Sequence, residues 1–253
     1  MEAPWEALEV AAEAGALLIQ CGAEVERAEE TAVRVARAYG WTAAEAVAMP
    51  TALFVSAPGA PGAVRRIRRR GVNLAAMAAI NQLSRDLEMA VPDLASFRQE
   101  LRAAAAARAA PPWVTVLVAA WITGWMSQLL GGSGGDFLPA AASGMLAQVA
   151  YAEAARRGLS AALANLLAAS LATVPPLVAA SGGGGGHPAT ELVAGITVLV
   201  PGLALTTAVR DAIAGDLLAA AGRFLEAVLV VAAVAAGVSL VLAIGGHLGG
   251  RWP

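Results

Sequence analysis

The sequence contains no lysine, one cysteine and two histidines among its 253 residues. Without lysine, both a Walker-type phosphate loop and a Schiff-base site are excluded. The single Cys21 has no partner for an internal disulfide, and its apolar neighbours favour a packed thiol over a reactive one. The glycine run at 182–186 therefore indicates a flexible loop rather than a phosphate cradle.

Charged residues are also scarce. They make up 14% of the chain, whereas hydrophobic residues make up 58% and the mean hydropathy is +0.65, which is typical of an integral membrane protein. Residues 1–110 contain 12 of the 17 arginines and 13 of the 19 acidic residues. The sequence therefore predicts a polar head at 1–110 and a membrane domain at 113–250. Because both parts are nearly neutral, no electrostatic argument supports a nucleic-acid partner.

The head is predicted to be an α+β domain with four helices and a β-hairpin. Apolar residues recur at helical spacing up to Gly22, with acidic residues on the other face. A short apolar run at 46–56 and a basic run at 63–70, with Val64 and Ile67 as its apolar points, flank a turn rich in proline and glycine, which predicts the hairpin. The other three helices are predicted over 23–39, 73–89 and 93–107, before the double proline at 111–112.

Five arginines lie on the second hairpin strand: Arg65, Arg66, Arg68, Arg69 and Arg70. They have three interpretations, namely a surface near anionic lipid headgroups, an intramolecular partner for the acidic second helix, or a site for an anionic substrate. The first 20 residues begin with acidic side chains and place apolar residues at helical spacing, instead of a basic segment and a continuous apolar core. No secretory signal is therefore predicted. We therefore expect the head to lie in the cytoplasm.

Five apolar segments follow the head, each near the ~20 residues that a helix needs to cross a ~30 Å hydrocarbon core. They cover residues 113–130, 137–155, 160–180, 190–209 and 223–246. The positive-inside rule keeps the head inside and the carboxy-terminus outside, which predicts a multi-pass protein of a prokaryotic inner (plasma) membrane. The loops at 131–136 and 181–187 then lie outside, with Asp136 as a helix N-cap. Small residues along these segments favour close packing in a bundle or an oligomer.

The fourth apolar segment is interrupted by Pro201 and Gly202. A proline removes a backbone donor and clashes with the preceding turn, so we expect a kink or break. Lipid tolerates a break only where protein or a water-filled cavity satisfies the freed groups, and transporters hold substrates at such discontinuous helices. The segment therefore predicts part of a transport path. The hydroxyls of Thr206 and Thr207 would either contact a polar substrate or bond back to the carbonyls freed by the proline.

Charged residues cluster just after this break, at Asp211, Asp216, Arg223 and Glu226. A charge inside a span costs ~2.5–3.5 kcal/mol even on a lenient scale, so each is a functional candidate. Glu226 fits this description best. The alternative is an interfacial salt bridge in which Arg223 and Glu226 anchor the helix end. Weaker candidates near the span ends are Glu153 and Glu191.

The positions of the histidines argue against catalysis. Hydrolysis by serine or cysteine normally needs a histidine beside the nucleophile, and hydrolysis by a metal needs a cluster of ligands. His187 and His247 both fall at the predicted outer side, and the head contains no histidine. We therefore expect no enzyme activity, no cofactor and no metal site.

Several of these motifs resemble the threonine/serine exporter family. In the head they are GALLIQCGAEVERAEETAVRVARAYG (15–40), MPTALFVS (49–56) and RRRGVNLAAMAAINQLSR (68–85), and in the membrane domain LVPGLALTTAVRDAIAGDLLAAAGRFLEAV (199–228). The resemblance implies proton-driven export of threonine and serine or, in some relatives, of a dicarboxylate such as succinate. It further implies a half-transporter, in which the head and the first five spans work with a separately encoded five-span partner or as a homo-oligomer.

The resemblance also indicates residues. In the head they are Gly22, Glu24, Arg27, Pro50, Thr51, Arg65, Asn73 and Arg85, and in the membrane domain Pro201, Gly202, Asp211, Gly215, Arg223 and Glu226. Many relatives carry asparagine where Thr207 stands. In the expected mechanism Asp211 or Glu226 carries the proton, and Arg223 pairs with the substrate carboxylate or with Glu226. The alternative function is a membrane-anchored regulatory or scaffold protein whose head senses a metabolite.

Overall fold

The structure is a computed structural model that describes residues 5–49, 51–67, 71–107, 110–182 and 186–247. Over these residues the chain is mostly helical, with one small three-stranded sheet. It divides into two compact units. Unit 1 comprises Met1–Ala109 and Leu203–Leu225, and unit 2 comprises Ala110–Gly202 and Glu226–Pro253. Residues 203–225, which the sequence places in the membrane domain, thus fold with residues of the head.

Unit 1 is built around its first helix, whose apolar face the sequence predicts. Leu8, Leu18 and Ile19 are fully buried there, and the acidic face is covered by arginines, with Arg102 contacting Glu13 at 3.2 Å. The head elements are α1 (Glu6–Gln20), α2 (Val25–Ala38), β1 (Glu45–Met49), β2 (Ala52–Ser56), β3 (Ala63–Arg66), α3 (Leu74–Asp86) and α4 (Leu94–Ala105).

The predicted β-hairpin is present as β2 and β3, which pair antiparallel on either side of the turn, but the sheet has a third strand that was not predicted, in the order β1-β2-β3. The run at 46–56 is two strands rather than one: Met49 pairs with Ala52, so the chain reverses between them. A proline at position 50 favours such a turn, since proline cannot donate to a sheet ladder. Pro50 itself lies outside the described residues, as do three arginines of the predicted basic cluster, Arg68, Arg69 and Arg70.

The described part of the basic cluster favours an intramolecular role. Arg65 donates to the Glu9 carboxylate at 3.3 Å, so its acidic partner is on α1 and not on α2 as the sequence suggested. Both side chains are partly exposed, and such a pair contributes ~0–1 kcal/mol. Arg65 therefore links β3 to α1 through an ion pair and is not positioned as a substrate ligand.

Unit 2 consists of helices that the sequence assigns to the membrane. They are α5 (Pro112–Leu129), α6 (Phe137–Arg156), α7 (Ala161–Ala172), α8 (Val174–Ser181) and α9 (Pro188–Ile196), with short 3-10 turns at Gly134–Asp136 and Thr197–Leu199. The chain continues through α10 (Gly202–Ala214) in unit 1 and α11 (Leu217–His247), which belongs to unit 2 from Glu226 onward.

Two helical stretches of the described chain are long and apolar enough to cross a membrane, Ala161–Ser181 and Leu217–His247. A third is obtained if Pro188–Leu199 and Gly202–Ala214 form one broken span. The helices α5 and α6 do not meet the same criteria, so five spans remain a prediction.

The predicted break at Pro201 is confirmed. The 3-10 turn ends at Leu199, Val200 has an extended backbone with ψ 127°, and α10 begins at Gly202. The last helix also starts six residues earlier than predicted, at Leu217. At 1.5 Å per residue its 31 residues extend ~47 Å, well beyond a ~30 Å hydrocarbon core. Its first turns, which carry Arg223, therefore need not lie in lipid.

Small residues bring the helices of unit 2 very close together, as predicted. A Cβ added to Gly195 of α9 would lie 2.3 Å from the Ser143 Cβ on α6. A Cβ on Gly144 would lie 2.6 Å from the Thr123 Cγ2 on α5. Both distances are far inside van der Waals contact, so glycine at these positions is a packing requirement.

We therefore expect Gly195→Ala to destabilise the protein by ~1–3 kcal/mol, the usual cost of overpacking, despite the better helix propensity of alanine. The matched control is Gly246→Ala near the end of α11, where an added Cβ meets nothing within 4 Å. Thermal unfolding of the two purified variants in detergent measures the difference. Equal melting temperatures would contradict the close α6–α9 contact.

Candidate functional site

The candidate site lies in unit 1, where α10 and the first turns of α11 meet the connection between α1 and α2. Its centre is a buried ion pair in which Arg223 Nε lies 2.7 Å from Asp211 Oδ2. The two side chains are only 8% and 1% exposed. Charges removed from water in this way persist only where further hydrogen bonds satisfy them.

Backbone groups of the α1–α2 connection supply those bonds. The Arg223 guanidinium donates to the carbonyl oxygen of Ala23, and Asp211 Oδ1 accepts from the amide of Val25 at 3.3 Å. Val25 is the first residue of α2, and the side chain of the N-cap residue Glu24 makes no capping bond. Asp211 therefore provides, from a different helix, the acceptor that a helix amino-terminus needs.

A second ion pair lies beside the first. Arg210 donates to the Glu24 carboxylate, and its guanidinium is largely exposed. Glu24, Asp211 and Arg223 were all indicated by the sequence, but Arg210 was missed as a site residue. The signal for Arg210 in the sequence is its position next to Asp211. The pairing of Arg223 with Asp211 was also not anticipated, because Glu226 was the expected partner.

A cavity of about 290 Å³ adjoins these ion pairs, and we call it the unit 1 cavity. This volume is near the lower end for ligand pockets, ~300–1,000 Å³, and suits a small metabolite. Its wall combines an apolar part with carboxylate, guanidinium and hydroxyl groups. The lining residues are Gly22, Ala23, Glu24, Arg27, Leu74, Met77, Leu203, Thr206, Thr207 and Arg210.

Arg27 differs from the other charged residues of this wall. Its guanidinium is exposed, and within the described part of the chain it makes no ion pair or hydrogen bond. Glu24, in contrast, is already held by Arg210. The cavity therefore offers one uncommitted positive charge beside a carboxylate whose charge is partly balanced.

The two threonine hydroxyls bond to a carbonyl of their own helix, but not to one freed by the proline as the second alternative predicted. Thr206 Oγ1 donates to the Leu203 carbonyl at 3.0 Å, and Thr207 Oγ1 donates to the same carbonyl at 2.8 Å. That carbonyl belongs to α10 itself and not to the residues freed by Pro201. Because each hydroxyl uses its hydrogen in this bond, its oxygen faces a ligand only as an acceptor.

The other head candidates have structural contacts away from the cavity. Asn73 caps α3 by accepting from the Ala76 amide at 3.1 Å, and it donates to the Ala107 carbonyl at 3.0 Å. Arg85 donates to Gln82 one turn away, and the Thr51 carbonyl accepts from the Ile67 amide. The predicted site residues that do not line the cavity are Thr51, Arg65, Asn73, Arg85, Pro201, Gly202, Asp211, Asp216, Arg223 and Glu226.

Comparison with known proteins identifies a family for this chain. No curated protein and no solved structure is significantly similar to the chain. A family model described as "Putative threonine/serine exporter" (ThrE) matches residues 9–245, which is nearly the whole chain. This match confirms the resemblance carried by the sequence motifs, and together with the apolar helices it identifies a membrane protein. Within the described residues, no group of three or more histidine, cysteine or acidic side chains is placed to hold a metal ion. The chain belongs to the threonine/serine exporter family.

Proposed function

We propose that this chain is a subunit of a proton-coupled exporter of threonine and serine, with the unit 1 cavity as a substrate site. The observation that carries the proposal is the lining of this cavity. Residues indicated independently by the head motif, Glu24 and Arg27, face the same space as Thr206 and Thr207, which follow the helix break. Broken helices are where transporters bind polar substrates.

The charges of the cavity favour an amino acid over a dicarboxylate. A zwitterion needs a cation for its carboxylate and an anion for its ammonium group, and Arg27 and Glu24 provide one of each. A dicarboxylate such as succinate would place a second negative charge near Glu24. The threonine hydroxyl of a substrate would donate to the oxygen of Thr206 or Thr207.

The coupling proton is better assigned to Glu226 than to Asp211. Asp211 is held as a carboxylate by the Arg223 guanidinium and the Val25 amide, and protonation would disrupt both contacts. Glu226 is half-buried on α11, where the sequence places a span. In this proposal Arg223 positions Asp211 and does not bind substrate.

The proposed topology has a cytoplasmic head followed by five spans formed by α5, α6, α7 with α8, α9 with α10, and α11. Such a bundle of thin helices is small for a transporter, which supports a separately encoded five-span partner or a homo-oligomer. Large apolar side chains along α5, such as Trp113, Trp121 and Trp125, are exposed and available to lipid or to a partner.

A second candidate function is a membrane-anchored regulatory protein. The observation in its favour is that Asp211 and Arg223 bond to the backbone of the α1–α2 connection, which is how a ligand-sensing head would be coupled to helices leading into the membrane. In that case the unit 1 cavity would bind a metabolite without transporting it.

Transport assays separate the two functions. Cells loaded with labelled threonine, serine or succinate would express this chain alone, a candidate five-span partner alone, or both. We expect threonine and serine export only with both, its collapse on addition of a protonophore, and loss of coupling in Glu226→Gln. Export that is the same with and without the chain, combined with threonine binding to the purified chain, would support the regulatory function instead.

A further inference from the structure

A second polar cluster lies in unit 2, at the amino-terminal ends of α6 and α9. Asp136 Oδ2 lies 2.9 Å from His187 Nδ1, and Asp136 Oδ1 accepts from the His187 amide at 2.7 Å. The Ser133 hydroxyl also donates to Asp136, at 2.9 Å. The sequence predicts Asp136 as an N-cap. It holds that position before α6, but its side chain bonds to Ser133 and His187 instead of to α6.

Glu191 of α9 completes the cluster. Its Oε1 and Asp136 Oδ1 lie 2.7 Å and 2.6 Å from the point where a Cβ on Gly186 would stand, so the two carboxyl groups border the same small space. Glycine at position 186 leaves the space in which they converge. Glu191 is 2% exposed and Asp136 is 0% exposed. The remaining oxygen, Glu191 Oε2, is buried and has no hydrogen-bond partner among the described residues.

Keeping two buried carboxyl groups charged beside the same small space is costly, because of their repulsion and their loss of water. A shared proton removes one charge and supplies the hydrogen for a bond between them, as in catalytic carboxyl dyads. Burial alone would raise the pKa of Asp136, but hydrogen bonds from His187 and Ser133 outweigh it and hold the pKa below its ordinary value. Asp136 is therefore the member that stays charged.

Among the described residues from α5 to α9, the basic side chains are His187, Arg156 and Arg157, and the two arginines lie at the far end of α6. The helices α5, α7 and α8 have no acidic or basic residues, and the charged residues of α6, Glu153 and Arg156, lie at its opposite end. The His187 side chain is 57% exposed, so it connects the buried pair to solvent.

We propose that Asp136 and Glu191 bind one proton between them and that His187 delivers it. When the pair has lost its proton, the protonated imidazole gives its Nδ1 hydrogen to Asp136 Oδ2 and becomes neutral. Asp136 then passes a hydrogen to Glu191 and is again a carboxylate, so the pair returns from two negative charges to one. Neutralising Glu191 also lowers the cost of burying its Oε2 atom, which has no hydrogen-bond partner among the described residues. The cluster lies at the end of unit 2 that the sequence predicts to face outside. If the chain is a proton-coupled exporter as proposed, this cluster is where the coupling proton enters. That role rests on the proposed function, whereas proton binding by the cluster does not.

Infrared difference spectroscopy of the purified full chain tests proton binding directly. We expect the band of a protonated carboxyl group to disappear as the pH is raised from about 4 to about 9, with a midpoint well above that of an exposed glutamate. Glu191→Gln is expected to abolish this band. The control Glu153→Gln removes an exposed glutamate paired with Arg157 at 2.8 Å and should leave the band unchanged.

His187→Ala provides a second test in which both carboxyl groups of the buried pair are kept. Without the imidazole donor, the carboxylate is less stabilised, so the midpoint should move to higher pH by about one unit. A band that persists in Glu191→Gln, or a midpoint that is the same in His187→Ala, would overturn the proposal. Because the readout is protonation, a failure of the chain to export threonine would overturn the proposed function and leave this result standing.

Discussion

Replacing Arg223 with alanine is expected to destabilise unit 1 by ~3–5 kcal/mol, the largest effect of any single substitution considered for this protein. The reason is that the carboxyl group of Asp211, which is 1% exposed, would lose its partner and stay buried. The carbonyl of Ala23 would lose its donor at the same time. A loss of this size is a large fraction of the stability of an ordinary domain.

Denaturant unfolding of the purified variant in detergent measures this loss, and hydrogen exchange locates it. The amide of Val25 donates to Asp211, so protection should fall first at the start of α2. The double variant Asp211→Leu with Arg223→Met removes both charges and is expected to recover most of the stability, since paired buried charges can be replaced by apolar side chains at little cost.

The matched control is Arg157→Ala, which removes one partner of the exposed pair with Glu153 on α6. Exposed pairs of this kind contribute ~0–1 kcal/mol, so this variant should unfold close to the wild type. If Arg223→Ala were as stable as the control, or if the double variant were less stable than Arg223→Ala, the ion pair would not be a structural clamp. Export by the stable double variant would then show whether either charge takes part in transport.

The break at Pro201 and the partners of Asp211 differ in how far the sequence predicts them. The proline pattern correctly predicts the break before α10, because proline acts through its own backbone and the preceding turn. The partner of Asp211 was not predictable in the same way, since Val25 lies 186 residues away along the chain. Burial of a charge creates a need for partners, but which groups supply them depends on the tertiary fold.

A similar distinction holds for the rest of the chain. Hydrophobic periodicity predicts the ends of the head helices to within a few residues. It does not predict that the strand expected over 46–56 is two strands, because the turn between Met49 and Ala52 is too short to stand out as a loop. His187 and Asp136, 51 residues apart, are each assigned to separate loops by the sequence. Only the packing of α9 beside α6 brings these side chains together with Glu191.

The second large effect concerns substrate selection by the unit 1 cavity. Arg27→Gln is expected to weaken export of threonine and serine by roughly 10- to 100-fold at low substrate concentration. This is the effect of losing one charge-assisted hydrogen bond of ~1.5–3 kcal/mol. Since the guanidinium of Arg27 is exposed and makes no described contact, the protein should fold as well as the wild type. The control Arg37→Gln removes an exposed arginine from the last turn of the same helix, away from the cavity lining.

Glu24→Gln tests the other charge and discriminates between the substrate classes. Loss of the carboxylate should reduce threonine export, because the substrate ammonium loses its anion, and it should not reduce export of succinate, which has no cation. The substitution also releases Arg210 from its ion pair, which adds a positive charge beside Arg27. Relative export of succinate over threonine should therefore rise by about tenfold or more, measured with the candidate partner present. Equal losses for both substrates in Glu24→Gln, or wild-type threonine export in Arg27→Gln, would exclude the cavity as the site where the amino acid is recognised.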